Sequence, residues 1–185
     1  MIGRRRVRAA AAVEFAMVMP FLVLLMLGTV DLTNYIRAYF RVERVAAETA
    51  NLASQFERLR NADINQLFSA AQQIAGTIEV TQLAGRTIIS VVEGTTAGNR
   101  MRWQRATIGG PGGLFESRIG EPPNIVTLPA SLVVPVGQTI VIVEVFNRRI
   151  PWVLSANLLG SNAPETIYAF YIMRPRSAQL AEVLP

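Results

Sequence analysis

The chain has 185 residues, half of them apolar, and a net charge of +5 from 18 arginines and 13 carboxylates, with no lysine, histidine or cysteine. Those absences exclude disulfide staples, Ser-His-Asp and Ser-Lys nucleophile systems, thiolate and Schiff-base chemistry, the Walker phosphate loop and the common zinc sites. Four arginines fall within the first eight residues, so the rest sums to about +1 (+5 minus +4), a basic tail and not a nucleic-acid surface. No close pair of carboxylates stands out either, so the composition predicts a protein without turnover, cofactor or metal.

Arg4, Arg5, Arg6 and Arg8 lead into the apolar stretch from Ala9 to Val30, 22 residues long. As a helix this stretch is about 33 Å long, which suits a hydrocarbon core of about 30 Å. Pro20 lies inside it, where it removes one backbone donor and predicts a mild kink. The arginines before the span and Asp31 just after it place the N-terminus in the cytoplasm and the rest of the chain outside. No small-residue cleavage site follows the core, which argues against a secretory signal. One residue breaks the rule for such a segment. Glu14 is a carboxylate at the head of the span, followed by sixteen residues without a charge. An acid there is costly and predicts a partner.

From Leu32 to Leu59 there is no Gly or Pro, and Leu32, Tyr35, Tyr39, Val42, Ala46, Thr49, Ala53, Phe56 and Leu59 follow near-heptad spacing. This predicts a continuing amphipathic helix that packs on its own domain or, less simply, on sister helices. Glu43, Arg44 and Glu48 supply its charged surface. Asn61-Ala62-Asp63 reads as a break, with Asp63 as N-cap and Gln66 completing a capping box. A short second helix presents Leu67, Ala70, Ala71 and Ile74 on one face and ends at Gly76.

After Gly76 the texture becomes β. Strands are predicted at 77–83, 86–92, 100–107, 124–128, 131–134, 138–146 and 166–173, with a turn at Pro135-Val136-Gly137. The Gly/Pro-rich region 109–123 reads as an exposed, flexible loop. The fold class is therefore α+β: a long N-terminal transmembrane and amphipathic helix, a short helix and a small antiparallel β-rich domain. Its expected parts are a basic leader at 1–9, a membrane helix at 10–30, helices at 31–76 and an outward-facing domain at 77–185.

The run Ala9-Ala10-Ala11-Ala12-Val13-Glu14-Phe15, followed by an apolar helix containing Pro20, resembles the N-terminus of TadE/TadG-like proteins, pilin-like components of the tight-adherence (Tad) type IV pilus system. Asp31-Leu32 and Tyr35-Ile36-Arg37-Ala38-Tyr39 fit that family's exit from the membrane, and Tyr168-Ala169-Phe170-Tyr171-Ile172-Met173-Arg174 resembles its closing strand. The resemblance implies a minor pilin in the bacterial inner membrane, crossing it once with its C-terminal domain in the periplasm and available for incorporation into an extracellular pilus. It further implies a prepilin peptidase that cuts between Ala9 and Ala10, other Tad pilins as neighbours, and an inner-membrane assembly platform. Glu14, with Phe15 beside it, would then pair with the new α-amine at Ala10 of an adjacent subunit. The chain departs from the family at Ala9, where glycine is usual. The alternative is an unprocessed bitopic envelope scaffold that binds a periplasmic partner, with Glu14 paired to Arg6 or Arg8.

Overall fold

In the computed structural model a single helix, α1, runs from Ile2 to Ser54 and continues across Pro20. The structure describes residues 2–107, 115–149, 165–176, 180, 183 and 184, of which 2–10, 165, 183 and 184 are described by backbone alone. The chain divides into two units, one holding the helix up to Arg37 and the other beginning at Ala38.

In the first unit the helix is apolar on every side. Val13, Phe15, Met17, Phe21, Leu25 and Met26 are all exposed. Its two threonine hydroxyls are satisfied within the helix: Thr29 Oγ1 donates to the Leu25 carbonyl and Thr33 Oγ1 to that of Thr29, each at 2.8 Å. A helix that shows apolar side chains all round and bonds its threonine hydroxyls to its own backbone suits lipid or other helices. It is the one helix among the described residues long and apolar enough to cross a membrane, which makes it the candidate membrane anchor. Asp31, just beyond it, is buried.

In the second unit the same helix becomes amphipathic. Ala38, Val42, Val45, Ala46, Thr49, Ala50 and Ala53 are buried, at the 3–4 residue spacing of one helix face. The predicted seam thus packs within its own domain from Val42 to Ala53. It stops earlier than expected, because the helix ends at Ser54 and Leu59 is buried instead in a two-residue strand, β1 (Leu59–Arg60).

Helix α2 spans Asn61–Ala75 and buries Ile64, Leu67, Ala71 and Ala75, while Ala70 and Ile74 are half-buried. Its start corrects the expected cap. Arg60 is the N-cap and Asp63 is the third helical residue, its carboxylate accepting the Arg60 N–H at 2.9 Å. An acid in the first turn serves equally well there, since it meets an orphan donor and the positive helix end. Gly76 closes the helix with φ +66 and donates to the Gln72 and Gln73 carbonyls.

The sheet has four antiparallel strands, β2 (Gly85–Thr95), β3 (Gly98–Ala106), β4 (Thr139–Arg149) and β5 (Glu165–Met173), in the order β3-β2-β4-β5. β6 (Val183–Leu184) pairs in parallel with β1. β4 is buried on both faces along Thr139–Asn147, as its apolar run foretells. One face carries Thr87, Ile89, Val91, Val141, Val143 and Val145. The other carries Ile88, Val92, Met101, Ile140, Ile142 and Phe146, and residues 115–138 cover it with Phe115, Ile119, Val126, Leu128 and Val134.

Three predicted strands are absent. Segment 77–83 is a connector, because the Gln72 side chain takes its backbone bonds: Nε2 donates to the Ile78 carbonyl, and Oε1 accepts from Val80 N–H and Thr81 Oγ1. Segments 124–128 and 131–134 contribute one bridge, Ile125 to Arg100, and flank a short 3₁₀ turn at Pro129–Ser131. The last of them is held by Asn99, which donates to the Leu132 carbonyl and accepts from Val134 N–H. In both places a side-chain amide replaces a neighbouring strand. The loop expectation for 109–123 is likewise corrected for residues 115–123, since Phe115 and Ile119 are core residues; 109–114 lie outside the described residues.

Candidate assembly surface on the N-terminal helix

Glu14 lies within the apolar helix and is exposed. Among the described residues it forms no ion pair and no hydrogen bond. Its neighbour Phe15 is 61 % exposed, and Pro20 is exposed on the same helix. Ala9 and Ala10 are helical in backbone, as are Arg4, Arg5, Arg6 and Arg8; their side chains lie outside the described residues.

Past the span the exposed apolar positions continue as Leu32, Ile36, Tyr39 and Phe40, the last 62 % exposed. Tyr39 and Phe40 meet edge to face at 5.9 Å between ring centroids. Such aromatics at a span's end suit the interface between lipid and water. The seam predicted from the heptad spacing therefore divides by use. Its later members, from Val42 on, are occupied by the protein's own domain, while Leu32 and Tyr39 remain exposed. The helix surface charge is modest: Arg44 and Glu48 form an i,i+4 ion pair on the exposed side, of little energetic weight.

A second constellation was not anticipated from the sequence. Glu144, in the middle of β4, is fully buried. It accepts from the Ser117 hydroxyl, from Arg118 N–H at 2.9 Å and from the Tyr168 hydroxyl at 3.0 Å. The Arg118 guanidinium lies 4.1 Å from the Tyr168 ring centroid, a cation–π contact. Burial, and next the Glu144 charge, hold the Tyr168 phenol above its ordinary pKa. The carboxylate thus latches the covering segment to the sheet. Its signal in the sequence is an acid within the apolar run of β4. Among the described residues no group of acidic side chains gathers as a metal site.

An apolar helix long enough to cross a membrane, with an exposed carboxylate near its start, and a separate α+β unit define a candidate membrane-anchored protein. Residues 9–51 match the family TadE, described as TadE-like protein, which is the family that the N-terminal motif resembles. The match takes in the span, Glu14 and most of the helix face buried in the second unit, and it makes this chain similar to components of the Tad pilus. No curated protein and no solved structure matches the chain.

Proposed function

We propose that the protein is a pilin-like structural component, a minor pilin, of a Tad-type pilus. It sits in the inner membrane with its N-terminus in the cytoplasm and helps to initiate, cap or anchor pilus assembly without turning over a substrate. The observation that carries this reading is Glu14, a carboxylate without an ion pair among the described residues, on a helix otherwise apolar all round.

An unpaired charge in lipid is expensive, and the cost falls steeply when a cation meets it. Cleavage between Ala9 and Ala10 by a prepilin peptidase would create an α-ammonium four residues from Glu14. On its own helix that amine belongs to the first turn; on a neighbour shifted along the axis it can face Glu14. Pairing between subunits therefore rewards one axial stagger, while Phe15, Leu32, Ile36, Tyr39 and Phe40 supply apolar contact along the same helix. The platform and the other Tad pilins are the implied neighbours.

The test is Glu14→Gln in cells that make the pilus. Membrane insertion should be unchanged and recovery in sheared filaments should fall at least tenfold. Equal recovery of variant and parent would remove the pairing.

A further inference from the structure

Three arginines lie on one face of the sheet, and none of them forms an ion pair among the described residues. Arg86 in β2 stands directly opposite Phe146 in β4, so both point to the face covered by residues 115–138. Arg148 follows Phe146 by two residues and shares that face. Arg118, from the covering segment, places its guanidinium 6.0 Å from the Phe146 ring centroid and 4.1 Å from that of Tyr168, and the two rings are 4.8 Å apart. Arg118 thus lies against the Phe146 and Tyr168 rings, while Arg86 and Arg148 share the sheet face that carries Phe146.

Their bonding is incomplete. Arg86 Nη1 donates to the Phe115 carbonyl at 2.8 Å, but Arg86 Nε is buried and bonds to nothing. Arg148 Nε is buried and unbonded in the same way. Neither arginine, nor Arg118, forms an ion pair among the described residues, whose two pairs are Arg44–Glu48 and Arg102–Glu93. Glu144 already accepts from three donors, the Glu79 carboxylate accepts from Ala84 N–H, and neither they nor Glu116 form an ion pair with the three arginines. Segments 108–114 and 150–164 contain no Asp or Glu. Guanidinium groups stay charged at any working pH; Arg86 and Arg148 are half-buried with an unbonded Nε each, Arg118 is exposed, and a buried donor left unbonded is costly.

The place in the fold is also informative. This end of the sheet is the one where β2 begins and β4 ends, and the connector 77–80 runs past it: Thr87 Oγ1 donates to the Val80 carbonyl and Asn147 to that of Glu79. Arg41 of α1 donates to Thr77 Oγ1 at the start of that connector.

We propose that Arg86, Arg118 and Arg148 form a binding site for a phosphate-bearing anion, either the phosphodiester of an anionic phospholipid headgroup or a free phosphate. Arginine forks match phosphate oxygens, and each bond to a charged acceptor is about twice as strong as a neutral one.

The test is calorimetric titration of the full-length protein in a neutral detergent at fixed ionic strength. One arm uses glycerophosphoglycerol, which carries the headgroup phosphodiester, and the other uses inorganic phosphate. Saturable one-site binding of the first identifies a lipid headgroup; binding of inorganic phosphate alone identifies a free phosphate. Either must weaken at least about tenfold in Arg86→Gln/Arg148→Gln. Circular dichroism checks the fold of that variant, and Arg118→Gln replaces it in the test should it unfold. An exposed control, Arg105→Gln, should bind as the parent does. No saturable binding in either arm, or equal binding by the folded cluster variant, overturns the site.

Discussion

Replacing Glu144 should separate a latch from a mere buried charge. The carboxylate accepts three hydrogen bonds, from Ser117 Oγ, Arg118 N–H and Tyr168 Oη, and is itself without solvent contact. Glu144→Ala leaves those donors without an acceptor. At roughly 1–3 kcal/mol for each buried donor left unpaired, and with the two half-buried hydroxyls partly rescued by water, the loss should be about 3–5 kcal/mol. Glu144→Gln keeps the shape and one acceptor oxygen for Arg118 N–H and Tyr168 Oη. Its amide group can donate to Ser117, whose hydroxyl is free to reverse its role. All three charge-assisted bonds become neutral ones at a cost of roughly 0.5–1 kcal/mol each, so the expected loss is about 1.5–3 kcal/mol. Urea unfolding of the full-length protein in neutral detergent, followed by tryptophan fluorescence, reads both values at constant slope. Hydrogen exchange should quicken at residues 115–120 before it does so in β2 or β4. An Ala variant within about 1 kcal/mol of the parent, or a Gln variant as damaged as Ala, would refute the latch.

The raised pKa of Tyr168 gives a pH dependence with a definite sign. Because the folded phenol holds its proton more tightly than the unfolded one, the folded state binds more protons above the ordinary value of about 10, and stability should fall as pH rises past it. Tyr168→Phe should flatten that alkaline limb in unfolding curves taken between about pH 9 and pH 11, and an unchanged limb would assign it to another group. Ile36, 43 % exposed on α1, should tolerate Ile36→Glu with less than about 0.5 kcal/mol of destabilisation. The same change should sharply lower recovery in filaments, and full recovery would show that this stretch of helix meets no neighbour.

Much of this molecule is legible in its sequence because two periodicities are strong. The apolar run to Val30 and the 3–4 spacing from Val42 to Ala53 announce α1, and β-branched alternation announces β2, β4 and β5. Two of the missing strands share one cause. Residues 77–83 and 131–134 have strand-like composition, yet the amides of Gln72 and Asn99 satisfy their backbone groups, and a side chain distant in sequence leaves no periodic trace. Within 109–123 the glycines and prolines conceal Phe115 and Ile119, two isolated apolar residues that the sheet buries. Glu14 is visible at once, since a charge in an apolar run is rare. The arginine cluster is not, because Arg86, Arg118 and Arg148 are brought together only by the register of β2 with β4 and by the segment laid over them.

The central claim is that Glu14 finds its partner in an amine created by cleavage. N-terminal sequencing and intact mass of the protein purified from membranes of a cell with an active prepilin peptidase test it directly. The mature chain should begin at Ala10, with Glu14 as its fifth residue and residues 1–9 lost. A chain that still carries Arg4, Arg5, Arg6 and Arg8 would contradict it and leave an uncut scaffold anchored by α1.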